Sequence, residues 1–254
     1  MRKKYKYMMY ATLLDSFYSY LNSDKVYQKY WAFSDNPPHT EEEFEKIQFE
    51  ELINRINRVP FDGEAADKGT AFNEVIDCII EGRKSEKMSI EKTTENNIPV
   101  LQVLYNNRQF IFSKSLCKEF SSYFRGAITQ LRVEATLPTR YGDILIYGII
   151  DELMPESVHD IKTTGKYSSF KYKNNFQHLV YPYCLIQQGN EIRRFEYNIT
   201  DFADTYTEVY VFNPERDIPI LTEHCERFIE FLEENKGLIT EKKIFAEENE
   251  HERN

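Results

Sequence analysis

The sequence predicts an α/β (α+β) protein in which a central mixed sheet is flanked by helices, with a helical elaboration at the N-terminus. Three observations predict this class. Apolar residues recur at helical spacing from Tyr7 to Leu21 and from Glu64 to Glu81. Strand-like apolar runs, Leu131 to Leu137 and Ile144 to Leu153, follow them and are joined by a short turn. Hydrophobic residues make up 41% of the chain and aromatic residues 15%, which excludes wholesale disorder.

The N-terminal elaboration is predicted to be helical throughout. The helix from Tyr7 to Leu21 continues as Lys25 to Phe33, and Pro37 lies in the break that follows. Thr40 has a glutamate three residues later, which is the pattern of a capping box. We therefore expect a second helix that begins after Thr40 and reaches about Arg58.

The remaining elements alternate between helix and strand along a single domain of residues 1–254. We expect residues 1–60 to form the helical elaboration, residues 64–235 the core and residues 241–254 a frayed tail. Periodicity and turn residues predict the following core elements in chain order: a helix at 64–81, a hairpin of strands at 99–105 and 108–113, a helix at 115–129, strands at 131–137, 144–153 and 158–163, a helix at 175–188, strands at 191–198 and 205–212, and a helix at 218–235.

Composition and cysteine spacing exclude several classes of protein. No apolar run approaches the ~20 residues that span a bilayer, so we expect no membrane partner. The four cysteines lie far apart in the chain, which excludes zinc-finger spacing. Cys78 and Cys184 fall on apolar helix faces, where we expect buried thiols. Free thiols of this kind favour a reducing, cytoplasmic location.

Charged residues at the end of one strand and within the next form the main candidate site. Side chains alternate between the faces of a strand, so Asp160 and Lys162 point the same way while Ile161 points into the core. Asp151 ends the partner strand and can come alongside. Two carboxylates in one place are costly to bury unless a cation lies between them. Oxygen ligands of this kind suit Mg²⁺. The alternative is an exposed ion pair of little energetic consequence.

The helix that follows carries two polar residues on one face. Gln177 and Tyr181 are four positions apart and therefore lie one above the other. One interpretation is that both side chains face the substrate of the site. The other is that they belong to an ordinary half-buried helix face. On the earlier helix, Asn73 and Glu74 follow a Gly-Thr pair, and Glu74 is a further candidate for a site residue.

The chain is acidic, with 42 Asp and Glu against 32 Lys and Arg and a net charge of −10. That balance argues against a protein that coats nucleic acid non-specifically, because such a surface needs local positive charge. One locally basic segment carries Lys166, Tyr167, Lys171 and Lys173. Lysines contact phosphates and aromatic rings stack on unpaired bases, so these four residues are candidates for nucleic-acid binding. The alternative is a solvated loop.

Taken together, these residues resemble the PD-(D/E)XK nuclease superfamily, in particular its RecB-like and phage-exonuclease branch. The resemblance covers roughly residues 65 to 212. Four motifs stand in the family's order: GTxxH at Gly69 to Glu74, the first aspartate at Asp151, (D/E)xK at Asp160 and Lys162, and QxxxY at Gln177 and Tyr181. Two positions depart from the family pattern. Asn73 stands in place of the histidine, and Ile150 stands in place of the proline.

The resemblance implies a restriction-endonuclease-like core of the order α-β-β-β-α-β. It also implies a Mg²⁺- or Mn²⁺-dependent deoxyribonuclease, most similar to exonucleases of the RecB and phage-recombination type. In such an enzyme Asp151, Asp160 and the backbone carbonyl of Ile161 would hold the metal, with Glu74 as a further candidate ligand. Lys162 would orient the attacking water or stabilise charge on the phosphate.

The same resemblance implies roles for other residues and partners. Gln177 and Tyr181 would contact the substrate phosphate or brace the lysine. DNA is the expected partner, together with a homo-oligomer or a recombination partner, since related phage exonucleases include ring-shaped assemblies. Some relatives carry an iron–sulfur cluster on a tight late group of cysteines. That group is absent from this sequence, so we expect no cluster.

Two other functional hypotheses remain open at the level of sequence. One is a nucleic-acid-binding protein on a nuclease fold with weak or lost catalysis, which Asn73 motivates. The other is an unrelated α+β interaction module in which the motifs are coincidental. Asp151 and Asp160 would lie far apart in that case.

Overall fold

The computed structural model describes residues 5–31 and 33–246. It is a mixed α+β protein, and its elements are as follows: β1 (Tyr7–Tyr10), α1 (Ala11–Leu21), α2 (Ser23–Trp31), α3 (Glu41–Ile56), α4 (Glu64–Glu81), β2 (Ser89–Glu95), β3 (Ile98–Tyr105), β4 (Arg108–Ser113), α5 (Lys114–Tyr123), β5 (Ile128–Leu137), β6 (Ile144–Leu153), β7 (Ser157–Thr163), α6 (Gln177–Gln187), β8 (Arg194–Thr200), β9 (Thr205–Val211) and α7 (Pro214–Glu234). Short 3₁₀ turns follow at Lys236–Leu238 and Lys242–Ile244.

The central sheet has six strands and mixes parallel with antiparallel pairs. Its order is β1-β6-β7-β8-β9, and β5 pairs with β6 as well. The β1–β6 and β7–β8 pairs are parallel, whereas β5–β6, β6–β7 and β8–β9 are antiparallel. Strands β2, β3 and β4 form a separate antiparallel sheet. The prediction of a mixed central sheet flanked by helices is therefore confirmed.

Two hydrophobic clusters hold the layers together. The larger one joins the central sheet to α1, α6 and α7, with Phe17, Phe195 and Phe228 among its fully buried side chains. The smaller one joins α4 and α5 to the three-stranded sheet around Phe72, and Ile161 from β7 belongs to it. Strand β7 therefore lies between both clusters, which fixes the position of the charged residues it carries.

Several local predictions are confirmed. Helix α4 has the predicted bounds, and the hairpin of β3 and β4 is present. Thr40 accepts from the Glu43 backbone while Glu43 accepts from the Thr40 backbone, so the capping box of α3 forms. The four cysteines are free and buried, including Cys78 and Cys184.

The prediction of a helix from Tyr7 is wrong at its start. Residues Tyr7–Tyr10 form a strand that pairs in parallel with Ile144–Tyr147 of β6. Tyr7 and Met9 are buried on alternate positions, as a strand with one covered face requires. A short apolar run is ambiguous between helix and strand in sequence, and here the edge of β6 supplies the hydrogen-bond partners.

Three further predictions need correction. The helix predicted at 115–129 ends at Tyr123, and Gly126 with a positive φ precedes β5. The sequence patterns predict no element for Ser89–Glu95, which is an almost wholly exposed and charged edge strand. The tail predicted to fray from residue 241 is partly packed, because Ile244 and Phe245 are buried. The Phe245 ring lies 6.0 Å from that of Tyr7, and residues 247–254 lie outside the described part of the chain.

Among the described residues, no helix combines the length and apolar character needed to cross a membrane.

We predict that His224 makes the fold sensitive to acid. Its ring is buried, stacks on Phe176 at 4.0 Å and lies 3.0 Å from the Leu14 carbonyl oxygen. Burial lowers the pKa of His224 to about 4. The unfolded chain takes up a proton near the ordinary value of about 6.5, so stability contributed by this group is lost as pH falls from about 6.5 to 4.

The measurement is an NMR titration of the His224 ring together with unfolding free energies across that pH range. We expect a midpoint near 4. Between pH 6.5 and pH 4, the His224→Gln variant should lose less unfolding free energy than the wild type, by on the order of 2–3 kcal/mol. A ring that titrates near 6.5 in the folded protein would contradict the prediction.

Candidate active site

The site begins at a split in the central sheet. Strand β1 pairs with residues 144–147 of β6, and β7 pairs only with Glu152 and Leu153. Residues 148–151 of β6 lie between these two partners. The backbone N–H of Ile161 on β7 donates instead to the Asp151 carboxylate, at 2.9 Å. The Asp151 carboxylate therefore takes the place of a backbone carbonyl acceptor and lies between the strands.

Asp160 lies beside Asp151 and forms the second acid of the site. It is 2% exposed, and its Oδ2 lies 2.7 Å from the ammonium of Lys162. The amide of Gln177 donates to its other oxygen. Alternation along β7 thus brings Asp160 and Lys162 to one side and Ile161 to the other, as the sequence predicts.

The charges of the site are coupled and poorly solvated. Burial raises the pKa of Asp151 to about 8, and the nearby Asp160 contributes to that rise. Burial also raises the pKa of Asp160, although Lys162 opposes that shift. Burial lowers the pKa of Lys162, but Asp160 and Asp151 outweigh burial and the net shift is upward. A nearby cation would oppose the upward shifts in the pKa of both acids, because it favours their charged forms.

Helix α6 supplies a second layer of contacts. Gln177 donates to Asp160 and, at 3.1 Å, to the hydroxyl of Tyr181 one turn later. The Tyr181 ring lies against Gly148 of β6, where a Cβ atom would overlap it. Both residues are buried. Gln177 therefore holds the Asp160 carboxylate in place, and Tyr181 holds Gln177.

The structure corrects the expectation that Glu74 would be a metal ligand. Its Oε1 accepts from Arg83 at 2.6 Å and from Ser85 at 2.7 Å, and its Oε2 accepts from Arg83 at 3.3 Å. These contacts, with Arg83 foremost, lower the pKa of Glu74 to about 2. One position earlier on α4, Asn73 donates to Asp151 at 3.3 Å. Adjacent helix positions point in different directions, so Asn73 faces the site and Glu74 does not.

Asp15 on α1 is a site residue that the sequence analysis missed. It accepts from the backbone N–H of Phe176, at the start of α6. Burial raises the pKa of Asp15 to about 7, and Lys162 and Asp160 lie within electrostatic reach of it. The one signal in the sequence is an acid that interrupts an apolar helix face.

A cavity of about 960 Å³ opens over this constellation. Its floor includes Asp151, Asp160 and Lys162, and its far wall is built from α1 and the end of α3. Arg55 and Arg58 line that wall. Sequence reasoning missed both arginines, because nothing in the local pattern at the end of α3 connects it to the acids of β6 and β7.

The basic segment predicted to bind nucleic acid lies elsewhere. The described lining of the cavity contains none of Lys166, Tyr167, Lys171 and Lys173. Lys171 donates to the Lys166 carbonyl at 3.0 Å, and the Tyr167 ring stacks on Tyr206 at 4.3 Å. Lys166 and Lys173 are exposed. These four residues do not converge with the acids, and their binding role stays a prediction.

The oxygen donors at this site fit a hard divalent cation that takes few of its ligands from the protein. Within residues 5–31 and 33–246, no group of three or more His, Cys, Asp or Glu side chains is arranged to hold a metal. Asp151 and Asp160 supply two carboxylates, and the Ile161 carbonyl follows directly in the chain. Mg²⁺ commonly takes one or two carboxylates and completes its shell with water and phosphate oxygens. Asp151 accepts from the Ile161 N–H while the adjacent Asp160 contacts Lys162, and two carboxylates placed so close together favour such an ion.

Comparisons with known proteins add little beyond the fold. No family model matches the chain, and no curated protein matches it. Among solved structures, the crystal structure of SSO0001 matches with a TM-score of 0.48 and 10% identity. The match covers 91% of this chain and 79% of that one. At this TM-score the likeness carries no argument about function.

We predict that Gly148 is required for the packing of α6 on β6. In a Gly148→Ala variant the new methyl group would overlap the Tyr181 ring. Overpacking of a rigid buried contact costs about 1–3 kcal/mol, so chemical denaturation should show a decrease in stability of that size. Gly237→Ala is the matched control, because nothing lies within 4 Å of a Cβ atom there. Adding Tyr181→Ala should remove the penalty of Gly148→Ala, whereas additive effects of the two substitutions would contradict the prediction.

Proposed function

We propose that this protein is a Mg²⁺- or Mn²⁺-dependent deoxyribonuclease of the PD-(D/E)XK type, similar to the RecB-like and phage exonucleases. The observation that carries the proposal is the contact between the Ile161 N–H and the Asp151 carboxylate. It joins the acid at the end of β6 to the Asp160 and Lys162 pair on β7. Two acids and a lysine of the predicted motifs therefore lie together in the lining of one cavity, with Asp160 buried and the other two partly buried.

The order of elements supports the same proposal. Helix α4 is followed first by the separate sheet β2–β4 and by α5, then by β5, β6 and β7, and then by α6 and β8. The three strands form an antiparallel succession, and β8 returns parallel to β7 after the α6 crossover. This succession has the α-β-β-β-α-β order of the proposed core.

In the proposed mechanism, Asp151, Asp160 and the Ile161 carbonyl would hold the metal ion. When bound, such an ion polarises the scissile phosphate and lowers the pKa of an attacking water. Lys162 orients that water or stabilises the negative charge that develops on the phosphate. Gln177 holds Asp160 in place through its hydrogen bond, and Tyr181 in turn orients Gln177.

A second candidate function is nucleic-acid binding on the same fold with weak or lost catalysis. Asn73 favours it, because its amide nitrogen donates to Asp151 where the family has a histidine. The third hypothesis, an unrelated interaction module, predicts that Asp151 and Asp160 lie far apart, and the contact of Asp151 with the residue next to Asp160 supports the nuclease proposal over it.

The Asp160→Asn variant tests the metal site and separates the two candidates. The change is nearly isosteric, so the fold should persist. It removes one of two carboxylates, so we expect cleavage and divalent-ion affinity to fall by at least ~100-fold. Isothermal calorimetry with Mg²⁺ and Mn²⁺ measures the affinity, and a DNA digestion assay measures cleavage.

Asp35→Asn is the matched control, since Asp35 is exposed and lies outside the described lining of the cavity. Unchanged ion affinity in Asp160→Asn would remove Asp160 from the ligand set. A wild-type protein that binds DNA but does not cleave it with either ion would favour the binding candidate.

The exonuclease part of the proposal predicts dependence on DNA ends. End-labelled linear DNA should be shortened progressively in the presence of Mg²⁺ or Mn²⁺, while a covalently closed circle of the same sequence stays intact. The control is the same circle opened by a restriction enzyme, which should become a substrate. Nicking of the closed circle at a comparable rate would show endonucleolytic action instead.

A further inference from the structure

The rim of the cavity combines positive charge with exposed apolar surface. We define the α3 rim as Arg55, Arg58, Val59 and Phe61, which line the cavity from the end of α3. Phe61 is 76% exposed and Val59 is 51% exposed. Ile149, which is 50% exposed, lines the same cavity from β6. Apolar side chains that stay exposed beside buried acids suggest a surface that a ligand covers.

Arg58 is held over the cavity in an unusual backbone conformation. It has a φ of 54° at the end of α3, where the Val59 N–H returns to the Asn54 carbonyl at 2.9 Å. Glycine is the common residue in this left-handed position, and for other residues the conformation is strained. An arginine therefore occupies a strained position beside the cavity in which glycine would be unstrained.

The guanidinium of Arg58 is positioned by aromatic residues. It donates to the Tyr147 hydroxyl at 2.9 Å and lies 6.0 Å from the centre of the Tyr10 ring. Glu241 approaches it at a distance of 3.9 Å, with the Arg58 side chain still 46% exposed. One such exposed ion pair leaves most of its charge available to an anion.

Arg55 adds a second positive charge to the same wall. Among the described residues, no ion pair with its side chain is present. The nearest acid of the lining on α3, Glu51, accepts from Gln48 at 2.9 Å. The rim therefore presents two guanidinium groups above a floor that carries Asp151 and Asp160.

We propose that the α3 rim binds an unpaired DNA strand that leads to Asp151 and Asp160. Arg55 and Arg58 would hold two backbone phosphates, and Phe61 would stack on a base. The inference rests on the proposed function and specifies its substrate. Bases offer their faces to protein side chains only when they are unpaired and unstacked, as in single-stranded DNA.

The position of the acids favours the same substrate. Asp160 lies on the floor of the cavity and is 2% exposed. Arg55, Arg58 and Phe61 line the same cavity as Asp160, so a strand whose phosphate reaches this acid would pass the rim. The net charge of −10 makes the two arginines important, because an acidic protein attracts a polyanion only through local positive charge.

Binding is tested without catalysis, by fluorescence anisotropy of a labelled oligothymidylate in EDTA. The competitor is a blunt duplex of the same length. We expect the wild type to prefer the single strand. Phe61→Ala should weaken binding of the single strand by about fivefold or more, because the variant has no ring on which a base can stack. Arg58→Gly should weaken it similarly, and its logarithmic salt dependence should be shallower by about 0.7 for each phosphate that it no longer neutralises.

The Arg58→Gly change separates binding from folding. Glycine relieves the left-handed strain, so the melting temperature should hold or rise while affinity falls. Asn97→Gly is the conformational control, because Asn97 has a φ of 65° in the turn between β2 and β3. Arg125→Gln is the charge control, since Arg125 is exposed and outside the described cavity lining. Both controls should bind like the wild type.

The inference is overturned if Arg58→Gly and Phe61→Ala bind the oligothymidylate like the wild type, or if the wild type prefers the duplex. These outcomes are distinct from failure of the proposed catalysis. A protein that binds single strands through the rim but cleaves no DNA would keep the inference and refute the nuclease. A protein that cleaves linear DNA with KM unchanged in both variants would keep the nuclease and refute the rim.

Discussion

The site depends on one hydrogen bond across a split sheet. Where β6 and β7 stop pairing, the Ile161 N–H still needs an acceptor, and the Asp151 carboxylate supplies it. A side chain that completes a sheet cannot move freely, so Asp151 is held with the precision of the backbone. The same hydrogen bond brings the adjacent residue on β7, Asp160, to its side. Substituting Asp151 would therefore alter the sheet edge as well as the site.

Burial makes this arrangement of acids energetically costly. Asp15, Asp151 and Asp160 approach Lys162 in a place where water solvates charge poorly, and the pKa values of all three acids rise. A lone lysine does not neutralise three carboxylates. The remaining repulsion is relieved by protons or by a divalent cation, and the second solution leaves the carboxylates as ligands. The cost of burying uncompensated acids is thus the physical reason to expect a metal.

The N-terminal segment is part of the site rather than an appendage to it. β1 occupies one edge of β6, and α1 then carries Asp15 to the start of α6. The end of α3 brings Arg55 and Arg58 over the same cavity. The buried face of α1 packs on α7 through Phe17 and Phe228, whose ring centres are 4.7 Å apart. The helices that build the core therefore also build the wall of the cavity.

Features that depend on local periodicity can be predicted from the sequence alone. The α3 capping box, the bounds of α4, the β3–β4 hairpin and the common side of Asp160 and Lys162 follow from spacing within a few residues. Only the tertiary structure decided which distant groups meet. It made Tyr7–Tyr10 a strand by offering the edge of β6, and it engaged Glu74 with Arg83. It also brought Asp15 to the start of α6 and the two arginines to the cavity, because side-chain convergence depends on how helices pack and not on their own repeat.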